Sequence, residues 1–519
     1  MQDAVRRIII VGGGTAGWIT AGLLAAGHRE SARPPQVTLV ESPDIPIIGV
    51  GEGTWPSMRM TLQAIGLPET DLLRQCEASF KQGTRFIAWA RQDDACRYIH
   101  PFSLPAEYSS LNLAEHWLDT DGSVPFADFV TPQAAVIEAG LAPKQPATPE
   151  YAFNVNYGYH FDAGRFAQLL HRHAVAKLGV RYVSANLQQV ESRPDGDISA
   201  IVLDTGERLE GDLFVDCTGQ RALLIGRYPE AAFQSVKDVL FNDAAIAVQV
   251  PYADPRQPIA SVTCATAVPS GWIWDIGLQT RRGVGHVYST AHASEEEATA
   301  TLRDYVTRVS PGTDLDGLAF RRIPFEPGYR RQFWVGNCVA VGLSGGFIEP
   351  LEASALALIE QAATLISRQL PVNREVMTVV ARRFNAKMAY HWERVIEFLK
   401  LHYVLSRRED SDYWRACRDP ASCPEALRDK LLLWQQQAPW HDDAPRVDEL
   451  FPSASYQFVL YGMGFRPSLR AARGAGLRRD RERVARALQA NADKARQMRK
   501  ALPANRELLD ILTPMRGVA

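Results

Sequence analysis

The N-terminal segment constrains the fold most strongly, because an apolar run is followed at once by closely spaced glycines. Arg7–Val11 has the composition of a parallel strand buried on both faces, and residues 12–17 follow with the spacing G-x-G-x-x-G. Residues 18–26 then have a helical pattern, and a strand at 36–40 ends in an acid. In this order the elements predict a dinucleotide-binding unit. Its predicted ligand contacts are Gly12, Gly14, Thr15, Ala16, Gly17 and Glu41.

Each part of this motif has a physical task. Gly12 makes the tight turn, Gly14 lets the backbone approach a pyrophosphate, and Gly17 lets helix and strand pack closely. Amides at the start of the helix would face the phosphates, and the Glu41 carboxylate would hold ribose hydroxyls. A glycine-rich turn that binds no ligand is the alternative.

Two later segments favour FAD over NAD. Residues 213–219 and 333–342 are apolar strands that run into glycine turns, as expected where a flavoprotein chain returns to its cofactor. Gly342 and Gly346 are therefore further candidate contacts. The sequence has no second G-x-G-x-x-G at a strand–helix boundary, so reduced flavin is expected to come from a separate flavin reductase.

Composition narrows the class of protein. The 519 residues are too many for one ordinary core, and 46% hydrophobic with 22% charged residues is typical of globular proteins. A net charge of -2 gives no electrostatic basis for binding nucleic acid or an acidic membrane surface. The seven scattered cysteines favour neither a disulfide framework nor a metal site, and no segment reaches the ~18 apolar residues of a membrane span. A cytoplasmic protein is expected.

The order of predicted elements gives the fold class. A helix capped by Asp162 and ending near residue 178 has the apolar stripe Phe166, Leu169, Leu170 and Val175. Predicted strands lie at 180–184, 198–203 and 213–216, and those of a substrate-side sheet at 246–250, 261–267, 271–278 and 283–289. A long helix is predicted over 376–405. We therefore predict an α/β fold. Its FAD-binding Rossmann-like (flavoprotein monooxygenase-like) body, including the substrate-side sheet, covers residues 1–370, and a mainly helical C-terminal region over 371–519 completes the substrate site.

Residues 342–352 form a glycine loop followed by Glu-Pro-Leu-Glu, and this segment is a candidate part of an active site. A helix is predicted to begin near Pro350 or Leu351, which places Glu352 in its first turn, where the helix dipole stabilises a negative charge. The free amides around Ser354 and Ala355 would then hold an anion such as a halide. A surface carboxylate is the alternative for Glu352.

Two other segments carry candidate residues. Lys81 follows Phe80, and His100 and Phe102 share a predicted loop, although a single lysine is nearly always a solvated surface charge. Trp272 and Trp274 lie two residues apart on a predicted strand, so their rings point to the same face.

Together these segments resemble the flavin-dependent halogenases of the tryptophan halogenase type. The resemblance extends over most of the chain and rests on the glycine fingerprint, residues 49–56, Phe80-Lys81, His100-Pro101-Phe102, residues 159–162, the two tryptophans and Glu349-Pro350-Leu351-Glu352. It adds Gly51 to the cofactor contacts. It implies bound FAD, chloride or bromide, and a small aromatic substrate, with a homodimer as one possible assembly.

The resemblance also implies a mechanism in two stages. Reduced FAD and O2 give a flavin hydroperoxide, and halide bound near Ser354 and Ala355 attacks it to make hypohalous acid. Lys81 receives this species through a tunnel, retains it as a haloamine or by a hydrogen bond, and presents the halogen to an electron-rich ring. Glu352 polarises the halogen donor or stabilises the cationic intermediate, and Trp272 and Trp274 keep substrate away from the flavin.

The sequence departs from the family pattern at several positions. Gly277 replaces the proline that closes the tryptophan motif, so a looser turn is expected, and Ala353 replaces a serine. The segment at 455–464, with Tyr456 as a candidate substrate contact, has neither the acid nor the tryptophan that would grip a zwitterion. An indole derivative other than free tryptophan, a phenol or a larger ligand is therefore expected, stacked on Phe102 with His100 beside it. An FAD-dependent aromatic hydroxylase and a catalytically silent FAD-binding redox or partner protein are the alternative functions.

Overall fold

The computed structural model describes residues 4–45, 51–467 and 480–514. In chain order the strands are β1 Arg7–Val11, β2 Gln36–Glu41, β3 Glu52–Gly53, β4 Ser79–Lys81, β5 Gly83–Ile87, β6 Arg97–Pro101, β7 Gly158–Phe161, β8 Arg181–Ser184, β9 Leu187–Ser192, β10 Ile198–Leu203, β11 Arg208–Glu210, β12 Leu213–Asp216, β13 Phe233–Ser235, β14 Ala244–Pro251, β15 Thr263–Val268, β16 Gly271–Gly277, β17 Arg281–Tyr288, β18 Arg321–Pro324, β19 Gly328–Arg330, β20 Trp334–Val335, β21 Cys338–Ala340 and β22 Gly346–Phe347. The α-helices are α1 Thr15–Gly27, α2 Ser57–Ile65, α3 Glu69–Gln75, α4 Leu113–Leu118, α5 Phe126–Val130, α6 Gln133–Glu138, α7 Ala163–Leu178, α8 Glu295–Val309, α9 Ser354–Arg368, α10 Arg374–Val404, α11 Asp412–Cys417, α12 Glu425–Trp434, α13 Ser453–Gly462, α14 Arg481–Ala501 and α15 Asn505–Leu512.

The chain forms two compact units, each built from three segments. The first unit comprises Met1–Ala78, Phe161–Val236 and Glu326–Glu393, and the second comprises Ser79–His160, Lys237–Phe325 and Arg394–Ala519. The division expected at residue 370 stays a prediction.

The first unit is organised around a six-stranded sheet of order β20-β21-β12-β1-β2-β8. Its central pairs are parallel, and β1, between β2 and β12, has four of its five residues buried, as its apolar composition predicts. Helix α1 packs against α7 and α9. The α/β fold class with its Rossmann-like, mostly parallel sheet is confirmed.

Helix α7 forms where the sequence predicts it, and its N-cap is the predicted one. The Asp162 carboxylate accepts a hydrogen bond from the backbone N–H of Arg165 at 2.9 Å. Phe166, Leu169 and Leu170 are buried, but Val175 is 39% exposed. Val175 was therefore wrongly assigned to the apolar stripe, because Ala163, Ala167 and Ala174 complete the buried face of the helix instead.

A buried acid links α2 and α9 and makes the stability of the first unit depend on pH. The Glu360 carboxylate accepts hydrogen bonds from the Ser57 and Thr61 hydroxyls at 2.6 and 2.7 Å, and burial raises the pKa of Glu360 to about 7. Since an unfolded glutamate loses its proton near its ordinary pKa of 4.5, the contribution is fully present below that pH and is lost as pH rises through about 7.

Glu360→Gln removes this titration but can keep both hydrogen bonds. The wild-type free energy of unfolding should fall by up to about 3 kcal/mol more than that of the variant between acidic and alkaline pH. Denaturant unfolding of both proteins at pH values on either side of this window measures the difference, and parallel pH profiles would contradict it.

The second unit contains a seven-stranded sheet of order β18-β14-β17-β16-β15-β5-β6. The four strands predicted for the substrate-side sheet are β14 to β17, and each forms within two residues of its expected bounds. His100 lies on β6, opposite Thr84 of β5, and not on a loop as predicted. The sequence offered little signal for this strand, because β6 ends at Pro101 and its residues do not alternate cleanly in polarity.

Helices dominate the C-terminal part of the chain, as predicted. The long helix expected over 376–405 is α10, Arg374–Val404. The arginine-rich stretch begins at residue 471, and its residues 471–479 lie outside the described ranges. The rest of the stretch forms a turn at residue 480 and then α14. No helix in the described residues is long and apolar enough to span a bilayer, and all seven cysteines are free.

Candidate active site

The glycine loop after β1 is shaped by close backbone contacts. The Gly12 N–H donates to the carbonyl of Val40 at 2.8 Å, and a side chain at Gly12, whose φ is 116°, would meet the carbonyl oxygen of Cys217 at 2.1 Å. A Cβ at Gly17 would lie 1.9 Å from the carbonyl oxygen of Gly12. Both positions therefore require glycine for packing within the protein itself.

Gly14 differs, because a Cβ there would have no protein atom within 4 Å. Gly14 is the N-cap of α1, and Thr15, Ala16 and Gly17 form its first turn, whose amides have no partners within a helix. Open space beside free amides is what a pyrophosphate requires. Glu41 ends β2 half-buried, and burial raises its pKa, which a hydrogen bond with Tyr182 partly offsets. The residues present thus fit the dinucleotide part of FAD.

Paired substitutions separate cofactor binding from packing. Gly14→Ala should leave the apoprotein fold intact, because its φ of -73° suits any residue and the Cβ has room, yet it should weaken FAD binding at least ~10-fold. Gly17→Ala should instead destabilise the apoprotein by about 2 kcal/mol through its clash with Gly12. Thermal unfolding without FAD and fluorescence titration with FAD measure the two effects. Equal FAD affinity for wild type and Gly14→Ala would argue against a pyrophosphate at this loop.

The other predicted cofactor residues of the first unit are three glycines, of which Gly346 lies on strand β22. Gly342 has a φ of 76°, and a Cβ there would lie 2.8 Å from the Cβ of Ala16 on α1. A Cβ at Gly346 would lie 2.6 Å from the carbonyl oxygen of Gly328, and Gly51 is buried with a φ of 91°. Gly342 thus lies beside the first turn of α1, while contact of all three with FAD stays a prediction.

Glu352 lies in a strained turn before α9, not in its first turn as predicted. Its φ is 64° and that of Ala353 is 55°, so two successive residues with side chains adopt the left-handed conformation. Such residues cost roughly 1 kcal/mol or more each and persist where their surroundings hold them. The Trp55 indole N–H donates to the Glu352 carbonyl at 2.7 Å, and the Ala353 N–H donates to the Pro350 carbonyl at 2.9 Å. The side chain of Glu352 is 6% exposed.

Helix α9 begins at Ser354, and Ala355 follows in the first turn. The Ser354 side chain is fully buried, and its Oγ has no hydrogen-bond partner among the residues the structure describes. A buried hydroxyl without a partner is costly. The unfilled hydroxyl and the first-turn amides are suited to a small anion.

In the second unit, Lys81 ends strand β4 and is 1% exposed. Its Nζ lies 5.4 Å from the centroid of the Phe102 ring, so the structure brings these two candidates together. Lys81 is therefore not a solvated surface lysine. A buried lysine is rare unless its charge is stabilised or its amine has a function.

Amide side chains hold the backbone of the segment that carries Phe102. The Phe102 N–H donates to the Gln82 carbonyl at 3.0 Å, and the Asn156 side chain donates to the Phe102 carbonyl at 3.0 Å. Gln133 in turn donates to the Asn156 carbonyl at 2.6 Å. These bonds hold the backbone at Phe102, and the amides were missed because single glutamines and asparagines have no motif.

His100 and Tyr456 lie in an aromatic cluster of the second unit. His100 Nε2 is 3.0 Å from Ser455 Oγ on α13, and the imidazole lies beside Phe458. Tyr456 is 2% exposed and packs edge-on against Phe398, with centroids 5.1 Å apart. Contact of either residue with substrate stays a prediction.

Trp272 and Trp274 lie on β16, and both are buried. Trp274 pairs with Gly285. A Cβ at Gly285 would lie 2.1 Å from the Trp274 indole, so the indole occupies the space that a side chain at residue 285 would need. The looser turn expected after Gly277 stays a prediction. Gly277 is within β16, its carbonyl accepts the Ser79 hydroxyl at 2.5 Å, and a side chain would meet Ile259 and Tyr252 at 2.9 Å.

Comparisons with known proteins agree with this geometry. Residues 7–476 match the family model for tryptophan halogenase. The tryptophan 7-halogenase RebH of Lentzea aerocolonigenes is 32% identical, with 98% of this chain and 99% of RebH covered. The chain belongs to the tryptophan halogenase family.

Solved structures of halogenases are also similar to this chain. A tryptophan halogenase from Shewanella frigidimarina NCIMB 400 superposes with a TM-score of 0.95 at 46% identity, covering 99% of both chains. BrvH, a flavin-dependent halogenase from Brevundimonas sp. BAL3, has a TM-score of 0.86 at 35% identity, covering 98% of this chain and 99% of its own. The family resemblance seen in the sequence is confirmed, and the chain is an enzyme of the flavin-dependent halogenase family.

The family implies FAD and halide, which fit the glycine loop and the start of α9 described above. Within residues 4–45, 51–467 and 480–514, no group of three or more His, Cys, Asp or Glu side chains could hold a metal ion. Sequence reasoning assigned no role to Ser79 on β4 and His160 on β7, which are opposite each other in the strand pair that carries Lys81. The alternation of polar and aromatic residues at 158–161 was the available signal for β7.

Proposed function

We propose that this chain is an FADH2-dependent halogenase that delivers halogen from hypohalous acid, through Lys81, to an electron-rich aromatic ring. Family membership supports the halide chemistry. The observation that carries the role of Lys81 is its burial on β4 beside the Phe102 ring.

Bound FAD, reduced by a separate flavin reductase, would supply together with O2 the oxidising power that converts chloride or bromide to hypohalous acid. The first-turn amides of Ser354 and Ala355, with the unfilled Ser354 hydroxyl, hold the halide. Trp272 and Trp274 keep the substrate ring from the flavin, which disfavours direct hydroxylation.

Lys81 takes the halogen as a haloamine or holds hypohalous acid by a hydrogen bond. Low-dielectric surroundings disfavour the charged form of an amine, and a neutral amine is the form that can attack the halogen. Phe102 positions the substrate ring by stacking, and the Glu352 carboxylate stabilises the positive charge that develops on the ring.

The substrate is proposed to be an indole derivative other than free tryptophan. Helix α13, Ser453–Gly462, contains no acid or base, and its residues 453–461 are buried, so it offers no charge to an amino-acid head group. His100 and Tyr456 are proposed to line the apolar part of the substrate site.

The proposal is tested by supplying the purified chain with a flavin reductase, FAD, NADH, O2 and bromide, and by following indole and L-tryptophan by mass spectrometry. Bromoindole that requires bromide, with little bromotryptophan, is the expected result. A hydroxylated product formed without halide would indicate an aromatic hydroxylase. Flavin binding without any product would indicate a silent FAD-binding protein, and tight stereospecific binding of L-tryptophan would overturn the substrate assignment.

A further inference from the structure

The strand pair that carries Lys81 also brings a buried histidine to the same face. In the antiparallel register of β4 and β7, Ser79 is opposite His160 and Lys81 is opposite Gly158. Opposed residues share a face, so Lys81 and His160 are diagonal neighbours, within reach of a long side chain. The residue opposite Lys81, Gly158, has no side chain.

The imidazole of His160 has one nitrogen engaged and one unfilled. Nε2 lies 2.8 Å from the Thr263 hydroxyl, whereas Nδ1 is buried without a hydrogen-bond partner in the part of the chain that the structure describes. An unfilled buried nitrogen costs free energy, so a purely structural role is a poor explanation for it. With Nε2–H donating to Thr263, Nδ1 presents a lone pair that a proton donor can fill.

The charges around the ring favour a neutral imidazole while Lys81 is an ammonium. Burial lowers the pKa of His160 well below its ordinary value, and the positive charge of Lys81 lowers it further. Ser79 and Lys81 on β4 lie on the same face as the ring, Thr263 on β15 bonds to its Nε2, and Lys81 is the charged group that acts on its pKa. Because two positive charges oppose each other here, the pair is suited to sharing one proton.

We propose that His160 is a positioning residue that takes the proton from the Lys81 ammonium, so that the lysine meets hypohalous acid as a neutral amine. This inference rests on the proposed function and on its haloamine form. The Lys81 ammonium gives one proton to His160, and the neutral amine then attacks the halogen of hypohalous acid. A nitrogen–halogen bond forms, the oxygen–halogen bond breaks, and the second amine proton leaves with the hydroxide as water. After the aromatic ring has taken the halogen and its own proton has moved to the lysine nitrogen, His160 returns its proton and the ammonium is restored.

The test compares His160→Gln with wild type, because glutamine can still bond to Thr263 but cannot take up a proton. The readout is the amount of bromoindole formed per FADH2 oxidised, measured across pH. In the variant this yield should fall about 10²-fold near pH 7 and recover in alkaline buffer, where hydroxide deprotonates the lysine. Thr263→Val is the matched control, since it removes the other partner of the ring and should lower the yield equally at every pH.

Two results would overturn the proposal. The first is a bromoindole yield of His160→Gln that equals the wild-type yield at every pH. The second is a yield that is lowered by the same factor at every pH. Absence of bromoindole from wild type itself would instead contradict the proposed function. NMR titration of His160 in wild type and Lys81→Met gives a second measurement that does not depend on the glutamine variant. The His160 pKa should rise when the lysine charge is removed, and an unchanged pKa would refute the coupling.

Discussion

Lys81→Met should abolish brominated product, by at least about 10³-fold, while FADH2 oxidation continues at the wild-type rate. Methionine fills the same buried volume but has no amine to hold the halogen, so the oxidant is made and then lost to water. In free-energy terms this is at least about 4 kcal/mol of transition-state stabilisation. Product by mass spectrometry and oxygen uptake, measured in the same reaction, give both values.

Lys144→Met is the matched control because Lys144 is also a buried lysine of the second unit. It is 2% exposed, and its Nζ donates to the Pro149 carbonyl and the Tyr157 hydroxyl, each at 3.3 Å. This variant should lose stability but keep halogenation per folded molecule. If bromoindole persists in Lys81→Met, freely diffusing hypohalous acid is the halogenating agent and the lysine assignment fails.

Glu352→Gln should lower product formation about 10²-fold with little change in FAD binding. Glutamine preserves the size of the side chain, and the Trp55 bond to the backbone carbonyl does not depend on the side chain, so the strained turn should survive. The loss of activity then measures how much the negative charge of Glu352 contributes to the reaction. Steady-state kinetics with bromide and indole provide kcat, and flavin fluorescence reports binding.

Glu360→Gln serves as the control for Glu352→Gln because it removes another buried carboxyl of the first unit, one on α9 that is bonded to Ser57 and Thr61. It should change the pH dependence of stability and leave the rate per folded enzyme unaltered. Equal activity of Glu352→Gln and wild type would show that the carboxylate has no part in the chemistry.

The fold could be predicted where local pattern and tertiary environment agree. The order of strand, glycines, helix, strand and acid fixed the parallel sheet, and the four strands β14 to β17 alternate or run apolar enough to be recognised. The short strand β6 was missed because its pairing with β5 is set by tertiary contact, not by composition. Val175 was misassigned because periodicity indicates which residues can face inward, but neighbouring elements decide how wide the buried stripe is.

The candidate residues could be found from the sequence, but their geometry could not. A proline at a helix start suggested that α9 begins near residue 350, yet the two left-handed residues Glu352 and Ala353 delay it to Ser354. No propensity predicts two such residues in succession, since the conformation is held by Trp55 and Pro350. Likewise, the burial of Lys81 follows from the pairing of β4 with β7, a contact between segments nearly eighty residues apart that single-sequence patterns do not report.

The hydrogen bond from Ser79 to the Gly277 carbonyl joins the strand of Lys81 to the end of the tryptophan strand. A change in length at the β16–β17 connection would therefore be transmitted to the lysine two residues beyond Ser79. Laboratory evolution of substrate range should accordingly leave this connection at its native length. The segment after Phe102 is the better place for variation, because a loop there can be exchanged without displacing Lys81.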